Sequence, residues 1–270
     1  MSGKYRMSLI MNTHYFRLVY RSVLFLCMLV GFIRNHFFNA GRSMIHIFDE
    51  KPVIMIIIWC VFAFEMTLRF FPSRYESPGC QKQFKRNYQK SGKTELVVED
   101  NNAAVLAGLL WLVLNSIFGA FHMMGVLDDD FMLLLCCAYS VCDIICILFF
   151  CPFQTWFFRN KCCSTCRIYN WDYAMMFTPL FFVKRLYAWT LLALALGLLF
   201  RWEITFFKYP ERFSVSTNDY LQCANCKEKL CRHKKQLQPL WNRIDAYTRE
   251  RLKKLMNQTE TIIDEKIRRK

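Results

Sequence analysis

Two apolar runs, 103–127 (AAVLAGLLWLVLNSIFGAFHMMGVL) and 131–153 (FMLLLCCAYSVCDIICILFFCPF), are joined only by Asp128, Asp129 and Asp130. A helix needs roughly 20 mostly apolar residues to cross the hydrocarbon of a bilayer, and both runs have that length. So short a charged joint makes them an antiparallel helical hairpin, with three carboxylates at one water interface. In lipid every backbone polar group must be paired within its own segment, so the spans are helices. The run 52–71 (PVIMIIIWCVFAFEMTLRFF) is another span. Near the N-terminus the uncharged core Ser22 to Ile33 lies between Arg21 and Arg34, and it reaches spanning length, 18–38, if both arginines snorkel. Arg34 follows that core and no Ala-x-Ala site does, which describes a retained anchor rather than a cleaved signal. The composition, 54% hydrophobic with 26 Phe against 9 Gly and 7 Pro, exceeds the apolar share of about 45–50% usual in soluble domains.

Basic residues mark cytoplasmic loops. Lys4, Arg6, Arg17 and Arg21 precede the first span, and seven basic residues from Arg69 to Lys93 follow the second. The connection between those spans has Arg34, Arg42 and Lys51, and the aspartate joint has none. This arrangement predicts an inner (plasma) membrane protein with its N-terminus, its 72–102 loop and its 154–172 loop in the cytoplasm. The region 173–207 is open. It crosses once, or it forms a short hairpin turning near Lys184 and Arg185, with a first arm broken at Pro179. The sixteen basic residues from Lys208 onward favour the hairpin and a cytoplasmic tail. The expected fold is an all-α, polytopic helical bundle of 4 to 6 membrane segments. It comprises a transmembrane domain, 1–207, and a Cys-rich tail, 208–270, that ends in an amphipathic helix.

Of 14 cysteines, those inside the apolar runs read as small hydrophobes. Those flanking the uncertain region carry chemistry. Cys163 and Cys166 form one Cys-x-x-Cys pair, and Cys223 and Cys226 form another, with Cys231 and His233 nearby. Two such knuckles supply four thiolates to a tetrahedral zinc ion, which leaves no open position and makes the site structural. A site from Cys223, Cys226, Cys231 and His233 alone is the more cramped alternative. An iron-sulfur cluster and a dithiol redox pair use the same residues.

Ionisable groups at membrane depth are functional candidates. Glu65 lies within the second span, four residues before Arg69, so a local ion pair is expected. Asp143 sits in the middle of the fourth span with no basic residue along its own helix, and it shares a face with Cys136 and Ser140. Asn115 and His122 lie on the third span. If these faces converge, Glu65, Asn115, His122 and Asp143 form a polar seam. Otherwise they are hydrogen-bond contacts between helices.

The net charge of +15 is spread over the loops, so no nucleic-acid partner is expected. Tyr169 and Trp171 suit headgroup anchors. The leading expectation is an assembly or regulatory module in the bilayer whose 154–172 loop and tail are clipped by zinc, with a second copy or another membrane protein as partner. The alternatives are a small ion or solute transporter using Asp143 and Glu65, and a redox protein with an iron-sulfur or dithiol centre. None of these readings fixes whether the protein is an enzyme.

Overall fold

The computed structural model describes residues 8–38, 43–73, 75–92, 101–158, 162–226 and 228. Among them the chain is helical, with a single isolated bridge between Lys90 and Asn218. Among the described residues, four helices are long and apolar enough to cross a membrane: α1 (Leu9–Phe38), α5 (Asn101–Met123), α6 (Asp129–Leu148) and α8 (Leu186–Lys208). A bent pair, α2 (Met44–Glu50) and α3 (Pro52–Leu68), meets at 101° and forms one further candidate. Short α4 (Pro78–Gln81) lies in the loop after α3, and α7 (Asp172–Phe177) continues into a 3-10 turn, Thr178–Phe181.

Helix α1 is built inside out. Phe16, Val19, Val23, Leu26 and Val30, spaced by three and four, are exposed, while His14, Arg17, Arg21 and Met28 on the opposite face are buried. In lipid that is the favourable orientation, because polar side chains at membrane depth must face the bundle interior. Helix α8 buries Ala188, Leu191, Ala195 and Leu198 at the same spacing, and its alanines let neighbouring backbones approach closely.

The three aspartates of the joint each have a separate task. Asp128 caps α6, accepting from the Phe131 amide at 2.9 Å. Asp129 meets His122 at 2.7 Å. Asp130, 1% exposed, caps α2 from across the bundle, accepting from the Met44 and Ile45 amides and from the Ser43 hydroxyl. Carboxylates at helix N-termini satisfy orphan amides and complement the helix dipole. Arg185 joins this hairpin end through Asp49 at 2.9 Å.

In the uncertain region a short helical segment precedes α8. Asp172 to Phe181 is ten residues of helix and 3-10 turn, or about 15 Å at an α-helical rise, half the hydrocarbon thickness of about 30 Å. It can be this short because it lies in the centre of the bundle. Tyr173, Met176, Phe177, Leu180 and Val183 are all buried, packed with α3, α6 and α8. Protein on every side supplies what lipid cannot to a broken helix. At its foot, Phe182 packs onto α5 so closely that a Cβ on Gly119 would sit 2.0 Å from the phenyl ring. Gly119→Ala is therefore expected to lower unfolding free energy by about 1–3 kcal/mol, as overpacking does, in a denaturant titration of the protein in mixed micelles.

Candidate functional site

At the end opposite the aspartate joint, the loops 72–92 and 162–171 and the segment 209–228 converge with the first turns of α1. Glu228, 1% exposed, ties them together. Its carboxylate accepts from Ser77 at 2.9 Å and Ser164 at 2.8 Å, and lies 2.9 Å from His14 Nε2. The 72–92 loop, the 162–171 loop and α1 are thus joined at one end of the bundle by the Glu228 carboxylate.

The expected four-thiolate site is not assembled. Among the described residues, no group of three or more His, Cys, Asp or Glu side chains is placed to hold a metal ion. The physical reason is orientation. Cys163 and Cys166 flank a 3-10 turn that turns both side chains inward, Cys163 donating to Gln154 Oε1 at 2.8 Å, whereas Cys223 is exposed and Cys226 half-buried. Cys231, His233 and the tail helix lie outside the described residues.

Below these loops lies a layer of paired charge. Arg17 reaches Glu65 and Glu76, each at 2.7 Å. Arg21 reaches Glu65 at 2.9 Å and Asp143 at 3.1 Å, and also donates to the Ser140 carbonyl. Arg69 pairs with Asp172 at 2.6 Å and stacks over the Tyr173 ring at 4.5 Å. Tyr173 donates to Glu65 at 3.0 Å. Three arginines from α1 and the end of α3 thus meet four carboxylates. Buried ions of this kind are tolerable only when paired and fully hydrogen-bonded.

This layer redraws the expected polar seam. Glu65 pairs with α1 and not with Arg69, because the Arg69 side chain turns toward α7. Asp143, alone on its own helix, is paired across to Arg21. Asn115 instead bonds the Trp111 carbonyl at 2.9 Å, and His122 sits at the opposite end with Asp129, so the four residues form no continuous path. Tyr169 is buried rather than a headgroup anchor, and Trp171 donates to Glu203 at 2.7 Å.

Glu76 lies in the loop beyond the membrane segments. Burial pushes its carboxyl upward, but Arg17 and Arg69 outweigh that and hold it below the ordinary value. With the folded value depressed, its contribution to stability is present above the unfolded value of about 4.3 and is lost as pH falls through the folded one. Stability is expected to decline as pH drops below about 5, and Glu76→Gln should flatten that slope in acid unfolding curves while lowering stability at pH 7. Neighbouring Cys80 is buried and donates to the Ser77 carbonyl at 3.1 Å. Burial and Glu76 raise its thiol, which keeps it protonated and inert.

Between α5, α6 and the loops is a cavity of about 380 Å³, within the size range of small-molecule sites. Trp111, Tyr139, Ile147, Phe153, Met175 and Met176 give it apolar and aromatic walls, and Asp143 and Asp172 reach it from the charged layer. Five cysteines also face it: Cys142, Cys146, Cys151, Cys163 and Cys166. The thiols of Cys146 and Cys151 are in hydrogen-bonding contact, across the point where α6 ends at Leu148 and the chain turns back. Sequence reading assigned Cys146 and Cys151 to apolar packing, since a spacing of five at a helix end matches no ligand motif. Only the unwinding after Leu148 brings their sulfurs together. No protein-family model matches the chain, and neither a curated protein nor a solved structure matches it.

Proposed function

We propose that the protein is a multi-pass membrane redox protein that works through a dithiol, Cys146 with Cys151, with Cys163 and Cys166 as a second pair on the same cavity. The observation that carries this reading is a cavity that gathers Cys146, Cys151 and the Cys-x-x-Cys pair, with a hydrogen bond between the first two. Two thiols in contact can exchange two electrons by closing a disulfide, and exchange with a nearby dithiol proceeds through a mixed disulfide. Asp143, one turn before Cys146 on α6 and facing the same cavity, is placed to take a proton, since the thiolate is the nucleophile.

The basic residues of the loop end support placing it in the cytoplasm, where a disulfide is transient and suits a redox cycle. Oxidising membranes with diamide and mapping disulfides by mass spectrometry tests the reading: a Cys146–Cys151 bridge supports it, and a native chain that forms none is not a dithiol protein.

A second reading keeps zinc, and with it the assembly module, on a smaller ligand set. Cys223 and Cys226 flank a 3-10 turn near the surface and would need Cys231 and His233 to complete four ligands. About one zinc per purified chain, lost in Cys223→Ser and retained in Cys163→Ser, is the expected result on that reading. The transporter reading is weakened because Glu65 is held between Arg17 and Arg21 and His122 sits with Asp129 at the opposite end, which leaves no continuous path.

A further inference from the structure

We infer that the cavity binds a quinone, a lipid-soluble two-electron acceptor, which enters sideways from the bilayer between α5 and α6. This rests on the dithiol reading and names its oxidant.

The entry route follows from how α5 packs. From its middle onward α5 touches α6 through Trp111 with Tyr139, ring centroids 4.5 Å apart, and Phe118 with Phe131. Toward its N-terminus it leaves α6 and packs on the Phe153–Phe158 turn, burying Ala104 and Ala107 near Phe153 and Trp171. The cavity is lined by Trp111 of α5 and by Tyr139, Cys142, Asp143, Cys146 and Ile147 of α6, so it meets the seam between the two helices. Cys142, on the α6 side of that seam, is exposed. A water-borne oxidant would need a polar mouth. This cavity has aromatic and thioether walls that suit a flat ring, and few polar groups to fix its orientation.

The chemistry balances. Cys146, its proton passed to Asp143, attacks a carbon of the quinone ring, and the ring takes the electron pair and one proton. Cys151, deprotonated in turn, attacks the Cys146 sulfur, so that the S–S bond forms as the C–S bond breaks. The bonding pair stays on the ring, which takes the second proton and leaves as quinol. Two thiols lose two electrons and two protons, and one quinone gains them.

The experiment uses the full chain, reduced and then freed of reductant in detergent, mixed with a short-chain benzoquinone and followed by ultraviolet absorbance. About one quinone is expected to be reduced per chain, with a Cys146–Cys151 disulfide in the product. Cys151→Ser should give no turnover. Met175→Trp, which fills the cavity, should lower quinone reduction tenfold or more while the protein elutes as a folded species. Met175→Trp with an unchanged quinone dependence would overturn the binding site. If diamide closes the Cys146–Cys151 disulfide in the native chain but benzoquinone is neither bound nor reduced, the quinone proposal fails and the dithiol reading stands. If neither oxidant closes it, the dithiol reading itself fails.

Discussion

Replacing Arg21 with Met is expected to destabilise the protein by about 3–5 kcal/mol, the range for removing one partner of a buried ion pair. Arg21 is fully buried and holds two carboxylates on two different helices, Glu65 at 2.9 Å and Asp143 at 3.1 Å. Methionine fills much of the stem's volume but donates nothing, so both carboxylates lose a cation. Glu65 retains Arg17 and Tyr173, whereas Asp143 loses the arginine that compensates its charge. The double variant Arg21→Met with Asp143→Asn is therefore expected to recover a substantial part of the loss, because removing both charges costs less than stranding one. Unfolding free energies in mixed micelles check both statements. A single-variant loss below about 1 kcal/mol, the size of an exposed pair, would mean that water reaches the layer.

The second large effect is functional. Cys151→Ser leaves Cys146 without the thiol it touches, so the two-electron step has no second sulfur. Diamide treatment of this variant is expected to yield no disulfide at Cys146 where the parent gives one, and dithiol turnover should fall to background. Serine is close in size and retains a hydrogen bond, so the fold should survive. A new bridge from Cys146 to Cys163 or Cys166 in the variant would place the second pair within exchange distance. Full turnover in Cys151→Ser would remove this pair from the chemistry.

The bundle was legible because bilayer length is a strong constraint: the runs at 103–127 and 131–153 became α5 and α6, and their aspartate joint became a capped turn. The short central segment Asp172–Phe181 was visible only as an oddity of length in 173–207, since what permits a broken helix at Pro179 is the protein around it, a tertiary fact. The charged layer was half visible. Asp143 and Glu65 stood out as carboxylates in apolar runs, but Arg17 and Arg21 read as topological signals at the edge of a span. One turn apart, they lie on the inward face of α1, and the exposed stripe from Phe16 to Val30 was the signal that could have oriented them. Pairing Glu65 with Arg69 failed because spacing along a helix says nothing about a partner arriving from another helix. The zinc clip drew on two Cys-x-x-Cys motifs, which specify turns and not the direction in which the turns face. Glu228, which joins the two loops to α1, carried no sequence signature.

The most direct measurement is a redox titration of native membranes in defined thiol–disulfide buffers, with alkylation of each cysteine quantified by mass spectrometry. The account predicts that Cys146 and Cys151 lose their reactivity together along one two-electron curve, with about 29.6 mV per tenfold change in ratio, while the exposed Cys27 and Cys60 keep an unchanged alkylation level throughout. Independent titration of Cys146 and Cys151, or persistent alkylation of both at oxidising potentials, would contradict it.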